Sequence, residues 1–320
     1  MNVTAEIEPV KSAILFIIFN RPDTTIQVFD KIREAKPARL YIAADGPRPF
    51  NRSDKDFCSK TRAIVKEVDW ECQVKTLFRD QNLGCKNAVS SAIDWFFEHE
   101  EEGIILEDDC LPAKSFFNFC DTLLEKYRHD TRIRHITGCN LQQGKKWGND
   151  SYYFSNLTHV WGWASWRRVW KDYDKTLDKY NNDDVCEKLN NIFDDPLVVT
   201  ALKHIFDSVK SGELDTWDYQ LDFANYFNHG LTIIPNENLI SNIGFGNNAT
   251  HTSDQNSINA NVPLGNIDQI THPLYILPEK GADFFTFDSQ LEITEKKRKQ
   301  NLFRRRVKRW FKATLKNAVK

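Results

Sequence analysis

The stretch Ile104-Ile105-Leu106-Glu107-Asp108-Asp109-Cys110-Leu111-Pro112 does most to limit what this chain can become. A short apolar run ends abruptly in three consecutive carboxylates. Such a run reads as a buried strand of a parallel sheet. Three acids at its end repel one another unless a positive group meets them. A hard divalent cation such as Mg2+ is the usual answer, because it takes oxygen ligands and leaves positions for bound phosphates. Side chains alternate along a strand, so Glu107 and Asp109 are expected on one face and Asp108 on the other.

The residues before this stretch repeat its grammar. Residues 13–19 are a first apolar strand, broken by Asn20-Arg21-Pro22-Asp23. Asp23 is expected to cap the following helix, whose apolar stripe is Ile26, Phe29 and Ile32. Arg39–Ala44 forms a second strand and ends in Asp45-Gly46-Pro47. An acid there, followed by Gly-Pro, belongs to a loop at the ligand-binding edge of a parallel sheet. Residues 54–68 read as helix, and Gln73–Phe78 as the third strand. Asn82-Leu83-Gly84-Cys85-Lys86-Asn87 opens a helix through residue 97. Gly84 allows an irregular backbone, the helix N-terminus favours anions, and Lys86 adds a formal charge. Residues 113–128 continue the pattern as a helix after the acidic strand. This β-α-β-α order predicts a doubly wound, mostly parallel α/β sheet.

Charge divides the chain unevenly. From Glu295 to Lys320 there are 12 Lys/Arg and one acid, leaving 31 basic and 44 acidic residues for the rest. An acidic body of −13 therefore carries a tail of +11. The seven cysteines include no C-x-x-C pair, and their odd number and even scatter argue against a disulfide scaffold. Residues 1–10 show no charged-then-apolar signal pattern. The longest apolar run, residues 13–19, is too short to span a bilayer. The expectation is a cytoplasmic protein.

Beyond residue 138 the texture changes. Trp147, Tyr152, Tyr153, Phe154, Trp161, Trp163, Trp166 and Trp170 crowd a short stretch. Aromatic faces of this kind suit the apolar faces of sugar rings, and equally a packed core. Residues 183–209 read as two helices, and a further helix begins near Trp217-Asp218 and stops at Gly230. An acid in its first turn can complement the helix dipole, or act as a general base if the helix starts at the site. Short strands follow at residues 231–234 and 239–243, then a Gly/Asn loop ending in His251 and a polar loop over 255–273. The region after Asp288 reads as a separate appendage.

Together these pieces resemble the GT-A-fold glycosyltransferases, and most of all N-acetylglucosaminyltransferase I and its bacterial relatives. The family's Glu-Asp-Asp strand end with its Phe-Phe helix is similar to Glu107-Asp108-Asp109-Cys110-Leu111-Pro112-Ala113-Lys114-Ser115-Phe116-Phe117. Its Gly-Trp segment resembles Trp161-Gly162-Trp163-Ala164, and its Trp-Asp motif resembles Trp217-Asp218. The likeness covers residues 13–252. It implies a GT-A-type sheet with an acceptor-side subregion, and inverting transfer from a UDP-sugar or similar donor to a glycan or lipid-linked saccharide. Surface-polysaccharide synthesis is the implied setting. By the same likeness Asp109 would ligate Mn2+ or Mg2+ on the donor diphosphate, with His251 as a further ligand or phosphate donor. Glu107 and Asp108 would contact the ribose or donor sugar, Asp45 the uracil ring and Arg21 the nucleotide. Trp161, Gly162, Trp163 and Trp217 would line the acceptor side, and Asp218 would deprotonate the acceptor hydroxyl. The first residues show none of the family's signal anchor, and Tyr219-Gln220 follow Asp218 where the eukaryotic enzymes carry a second acid. The donor sugar and the acceptor are therefore not inherited.

Two other functions compete. A sugar-phosphate nucleotidyltransferase would also use an α/β fold with metal-binding acids, but would show a Gly-rich phosphate loop near the first strand, which Asn20-Arg21-Pro22 is not. A non-catalytic, membrane-docked carbohydrate-binding protein would suit the aromatics and the tail, yet leaves the acidic triplet unexplained. In the tail, Phe303, Val307, Trp310, Phe311, Leu315 and Ala318 recur at helical spacing amid Lys and Arg. That pattern predicts a basic amphipathic helix on an anionic membrane, peripheral on its inner face, rather than a nucleic-acid-binding arm. The division expected is a transferase body over residues 11–285 and a membrane-associating tail over 286–320.

Overall fold

A computed structural model describes residues 9–245 and 257–299, apart from the side chains of residues 182 and 183. The first half of the chain alternates strand and helix: β1 (Ala13–Ile18), α1 (Pro22–Ala35), β2 (Arg39–Ala44), α2 (Asp54–Arg62), β3 (Gln73–Phe78), α3 (Gly84–His99) and β4 (Glu102–Glu107). Then come β5 (Cys110–Pro112), α4 (Phe116–Tyr127), β6 (Ile133–Thr137), β7 (Tyr152–Ser155), β8 (Trp163–Trp166) and α5 (Arg167–Trp170). The last part holds α6 (Asn182–Leu189), α7 (Pro196–Ser211), α8 (Asp218–Tyr226), β9 (Leu231–Pro235), β10 (Ile240–Asn242) and α9 (Lys280–Leu291).

Eight strands form one sheet in the order β3-β2-β1-β4-β8-β6-β9-β7. Strands β1 to β4 pair in parallel, and β9 is parallel to β6. Only β8 and β7 run the other way. The fold is thus α/β with a mostly parallel sheet, as the alternating pattern predicts.

The chain steps outward from β1 to β2 to β3, and α3 then carries it back to the far side of β1. Strand order reverses between β1 and β4. Ligand crevices of such sheets open beyond the carboxyl ends of the strands at that reversal. Glu107 ends β4 in register with Ile17 of β1. The segments 19–21 and 108–109 therefore emerge side by side at the reversal.

Burial on both faces holds this edge in place. Ile14 and Phe16 face one layer with Val28, Phe29 and Ile32 of α1 and Phe116, Phe119 and Leu123 of α4. Ala13 and Leu15, one residue out of phase, face Val89, Ile93 and Phe96 of α3. A third cluster joins α6 to α9 through Leu189, Leu202, Phe206, Phe223, Tyr226 and Phe287.

Several boundaries differ from those expected. Helix α1 starts at Pro22 with Arg21 at its N-cap, so Asp23 sits inside the first turn and complements the dipole instead of capping. The helix expected over 54–68 is α2 followed by a 3-10 stretch, Ala63–Glu67. Asp54, at its start, is buried and accepts from Asn20 Nδ2 at 2.9 Å and Arg48 Nε at 2.5 Å. It thereby ties the loop after β1 to the loop after β2. The aromatic stretch supplies β7 and β8. The boundary expected at residue 285 falls inside α9, and Phe287 and Ile293 are buried with the helical cluster, so the packed body continues at least to Ile293. All seven cysteines are unpaired. Among the described residues no helix is long and apolar enough to cross a membrane.

Candidate functional site

The three acids meet a positive group, and that group is Arg21. Its guanidinium contacts Asp108 and lies 2.9 Å from Asp109 Oδ2. Asp108 Oδ2 also accepts from Phe19 N–H at 3.0 Å. Strand alternation stops at Glu107, because Asp108 and Asp109 form a turn before β5. Both aspartates consequently face Arg21, and Asp109 is also the charge that weighs most on Glu107. Burial works against the Arg21 charge, but Asp108 and then Asp109 outweigh it and hold its pKa above the usual value. Burial likewise raises Asp108 to about 6 against the pull of Arg21. Glu107 rises further, to about 8, through burial and repulsion from Asp109 and Asp108. Its carboxylate has no hydrogen-bond partner among the described residues.

A short second sheet closes over this point. Strand β10 pairs antiparallel with β5, and Ile243 N–H donates to Asp109 O at 2.9 Å. Gly244 then passes directly over the ion pair. A Cβ there would stand 2.2 Å from Asp109 Oδ2 and 2.7 Å from Arg21 Nη1, so only glycine fits. His251 lies outside the described residues.

Asp45 has a structural task. Its oxygens accept from Asn82 Nδ2 at 2.8 Å and from Leu83 N–H at 3.0 and 3.1 Å. It thereby pins the N-terminus of α3, where Lys86 sits in the first turn. These bonds occupy the carboxylate that was expected to meet a uracil ring. Burial raises its pKa, and the backbone N–H groups of Leu83, Gly46 and Gly84 oppose the rise.

Asp218 is the first residue of α8. Thr216 Oγ1 and Tyr219 N–H both donate to its Oδ1, the latter at 3.0 Å. Asp218 is close enough to raise the Glu107 pKa. Cys85, in the first turn of α3, feels both charges: burial, then Glu107 and Asp218, push its thiol up to about 12. The fold thus gathers Arg21, Glu107, Asp108 and Asp109 at one point, with Asp218 near enough for its charge to be felt by Glu107.

Two of the four residues expected on the acceptor side, Trp163 and Trp217, are core residues. Trp163 and Trp217 are 1% and 4% exposed and stack on each other at 6.0 Å. Their faces are committed to the α3 side of the core, which corrects the acceptor-side assignment for both. Trp161 is half-buried and meets Phe245 edge-on at 5.7 Å. Gly162 turns the chain into β8 at φ +57°, where a Cβ would strike Ile240 at 2.4 Å; its reason is packing.

Beside Asp218 opens a cleft of about 440 Å³, lined also by Tyr219, Asp222, Trp161 and His159. Asp222 stands outside the set expected from sequence. Its four-residue spacing from Asp218 is the signal that would find it. A larger cleft, about 800 Å³, lies at the opposite, amino end of the sheet, beside Ser12, Arg39 and Glu102. Its charges pair among themselves, as in Arg39–Glu100 and Arg128–Glu102, so it offers little to a ligand.

Glu107 and Asp109 are hard oxygen donors, each near enough to feel the other's charge. That is the donor set for Mn2+ or Mg2+ completing its shell with phosphate and water. Among the described residues no larger cluster of His, Cys, Asp and Glu converges.

No protein-family model and no curated protein matches the chain. Among solved structures, an apo UDP-glucose pyrophosphorylase aligns over 70% of this chain and 90% of its own, at 10% identity and TM-score 0.38. A UDP-glucose pyrophosphorylase complexed with UDP-glucose aligns over 51% and 78%, at 14% identity and TM-score 0.33. A cytidylyltransferase from Leptospira borgpetersenii aligns over 51% and 64%, at 11% identity and TM-score 0.32.

Proposed function

We propose that the chain is a metal-dependent, inverting glycosyltransferase of GT-A type. It would move a sugar from a nucleotide-diphosphate donor, a UDP-sugar above all, to a hydroxyl of a glycan or lipid-linked saccharide. One observation carries the reading: Arg21 and three carboxylates meet at the strand-order reversal, with Asp218 within electrostatic reach of Glu107. The resemblance of Glu107-Asp108-Asp109 and Trp217-Asp218 to the glycosyltransferase motifs supports it.

A nucleotide sugar already carries its leaving group, provided the diphosphate charge is met. Arg21 and Lys86 supply positive charge, and Lys86 sits on a helix N-terminus suited to phosphate. Asp109 and Glu107 would hold Mn2+ or Mg2+, which when bound neutralises negative charge on the departing diphosphate. Asp218 would accept the proton of the acceptor hydroxyl as its oxygen bonds the anomeric carbon. The electron pair of the broken bond leaves with the diphosphate. A positioned base contributes about 10²–10⁴-fold. The glycosyltransferase likeness implies one base opposite the leaving group, and hence a single displacement that inverts the anomeric centre.

The rival chemistry is nucleotidyl transfer. In this chain Asn20-Arg21 lead straight into α1 at Pro22, with no glycine-rich turn between. The basic tail, as a membrane contact, would bring the site to a lipid-linked acceptor.

The test incubates the full chain with a UDP-sugar panel and Mn2+ and follows UDP. UDP release should be abolished by EDTA. Asp109→Asn should abolish transfer and weaken UDP binding about tenfold or more. Asp218→Asn should lower turnover about 10²-fold or more and keep UDP affinity within about twofold. UTP formed from a UDP-sugar and pyrophosphate would instead establish the nucleotidyl reading, and full activity in EDTA would remove the metal.

A further inference from the structure

The cleft beside α8 has a polar wall and an apolar wall. Asp218 and Asp222, one turn apart, present both carboxyls from the same helix face. Opposite them stand Leu202, Ile205 and Leu291, from α7 and α9. Its volume, about 440 Å³, is within the range of small-molecule sites, roughly 300–1,000 Å³.

Two polar groups on the first wall, Asp222 and His159, have capacity left for a ligand. Asp222 has no basic side chain paired with it among the described residues; Thr158 alone offers its hydroxyl and backbone N–H. Thr158 is itself fixed, since its Oγ1 accepts from Asn225 Nδ2 at 3.1 Å and Asn225 Oδ1 accepts from buried Arg134 at 3.0 Å. Burial first, and Asp218 second, push the Asp222 carboxyl well above the carboxylate range. His159 Nε2 is buried with no hydrogen-bond partner among the described residues, and burial lowers that imidazole to about 4, which keeps it neutral. Buried polar groups of this kind are satisfied in working proteins, by protein, water or ligand. A ligand that answers both walls carries several hydroxyls and one apolar face, and Tyr219 and Trp161 add aromatic surface for that face.

We propose that this cleft seats the acceptor saccharide, and that Asp222 and His159 bind ring hydroxyls next to the one facing Asp218. The assignment rests on the glycosyltransferase reading and moves acceptor recognition from the buried tryptophans to the Asp222 side of α8.

The probe is a set of methyl glycosides of hexoses, N-acetylhexosamines and 6-deoxyhexoses. They are titrated into the full chain with UDP and Mn2+, by saturation-transfer NMR. At least one should bind. Asp222→Asn should weaken it about tenfold or more, and UDP affinity should move less than about twofold. A melting curve checks that each variant folds. Thr158→Val, which withdraws the hydroxyl aimed at Asp222, is the second variant and should cost at least about threefold. Glycoside affinity unchanged in both variants overturns the assignment, as does the absence of any glycoside binding. Glycoside binding without UDP binding has a separate meaning: it upholds the saccharide site and overturns the nucleotide-sugar reading.

Discussion

Glu107 is the group whose ionisation the fold opposes at the centre of the site. Burial, Asp109 and Asp108 raise its pKa to about 8, while an unfolded chain leaves it near about 4.3. Between those values the folded state holds the proton more tightly than the unfolded one. The Glu107 contribution to stability is therefore most favourable below about pH 4.3 and declines as pH rises toward about 8. Glu107→Gln removes the titration. It should raise Tm at pH 8 by about 1–3 °C, on the order of 1 kcal/mol, and change it little at pH 4. Calorimetry at the two pH values checks this; a variant destabilised equally at both would show that Glu107 is held by packing rather than opposed by charge. Where the acid carries function, such a gain in stability is bought with lost activity.

Strand β8 is the element that joins the two halves of the sheet, because it pairs antiparallel with both β4 and β6. Trp163 sits on it between His135, at 5.0 Å, and Trp217, at 6.0 Å. Trp163→Ala should cost about 3–5 kcal/mol, as for other buried Trp and Phe truncations. Trp163 Nε1 has no partner among the described residues, so Trp163→Phe loses little polar interaction and should cost less, about 1–2 kcal/mol. Urea unfolding of the two variants measures both. A sugar-stacking tryptophan would behave oppositely, with saccharide affinity lost and stability retained.

At the scale of the whole molecule, the proposed membrane contact would set an acidic body against an acidic surface, with the basic tail between them. The body carries −13 and the segment from Glu295 to Lys320 carries +11. Basic residues near an anionic surface contribute about 1 kcal/mol each, and charges beyond a Debye length of about 10 Å count little. Burial of Ile293 sets where the tail can be removed without opening the helical cluster. A version ending at Lys299 keeps that contact and loses eight of the twelve basic residues. The full chain should co-sediment with anionic liposomes and leave them in high salt; the shortened version should stay in the supernatant. Equal partition of the two would end the membrane proposal.

Local pattern sufficed for the first half of the chain. Continuous apolar runs, alternating with helical stripes, determine that β1 to β4 are parallel, that β1, β2 and β4 are buried on both faces, and that acids and Arg21 crowd the carboxyl ends. Those signals are short-range and survive without knowledge of any partner. The second half was decided by tertiary contact. Whether a tryptophan faces a sugar or a core depends on what packs across it, and Trp163 is core because His135 on one side and Trp217, far along the chain, on the other both stack on it. Arg21 became the partner of Asp108 and Asp109 because the strand order reverses between β1 and β4. Asp45 was diverted to the α3 loop by the close approach of Asn82 and Leu83. Asp222 was in plain view at four residues from Asp218. Its importance came from the cleft, which α7 and α9 close from outside the local sequence.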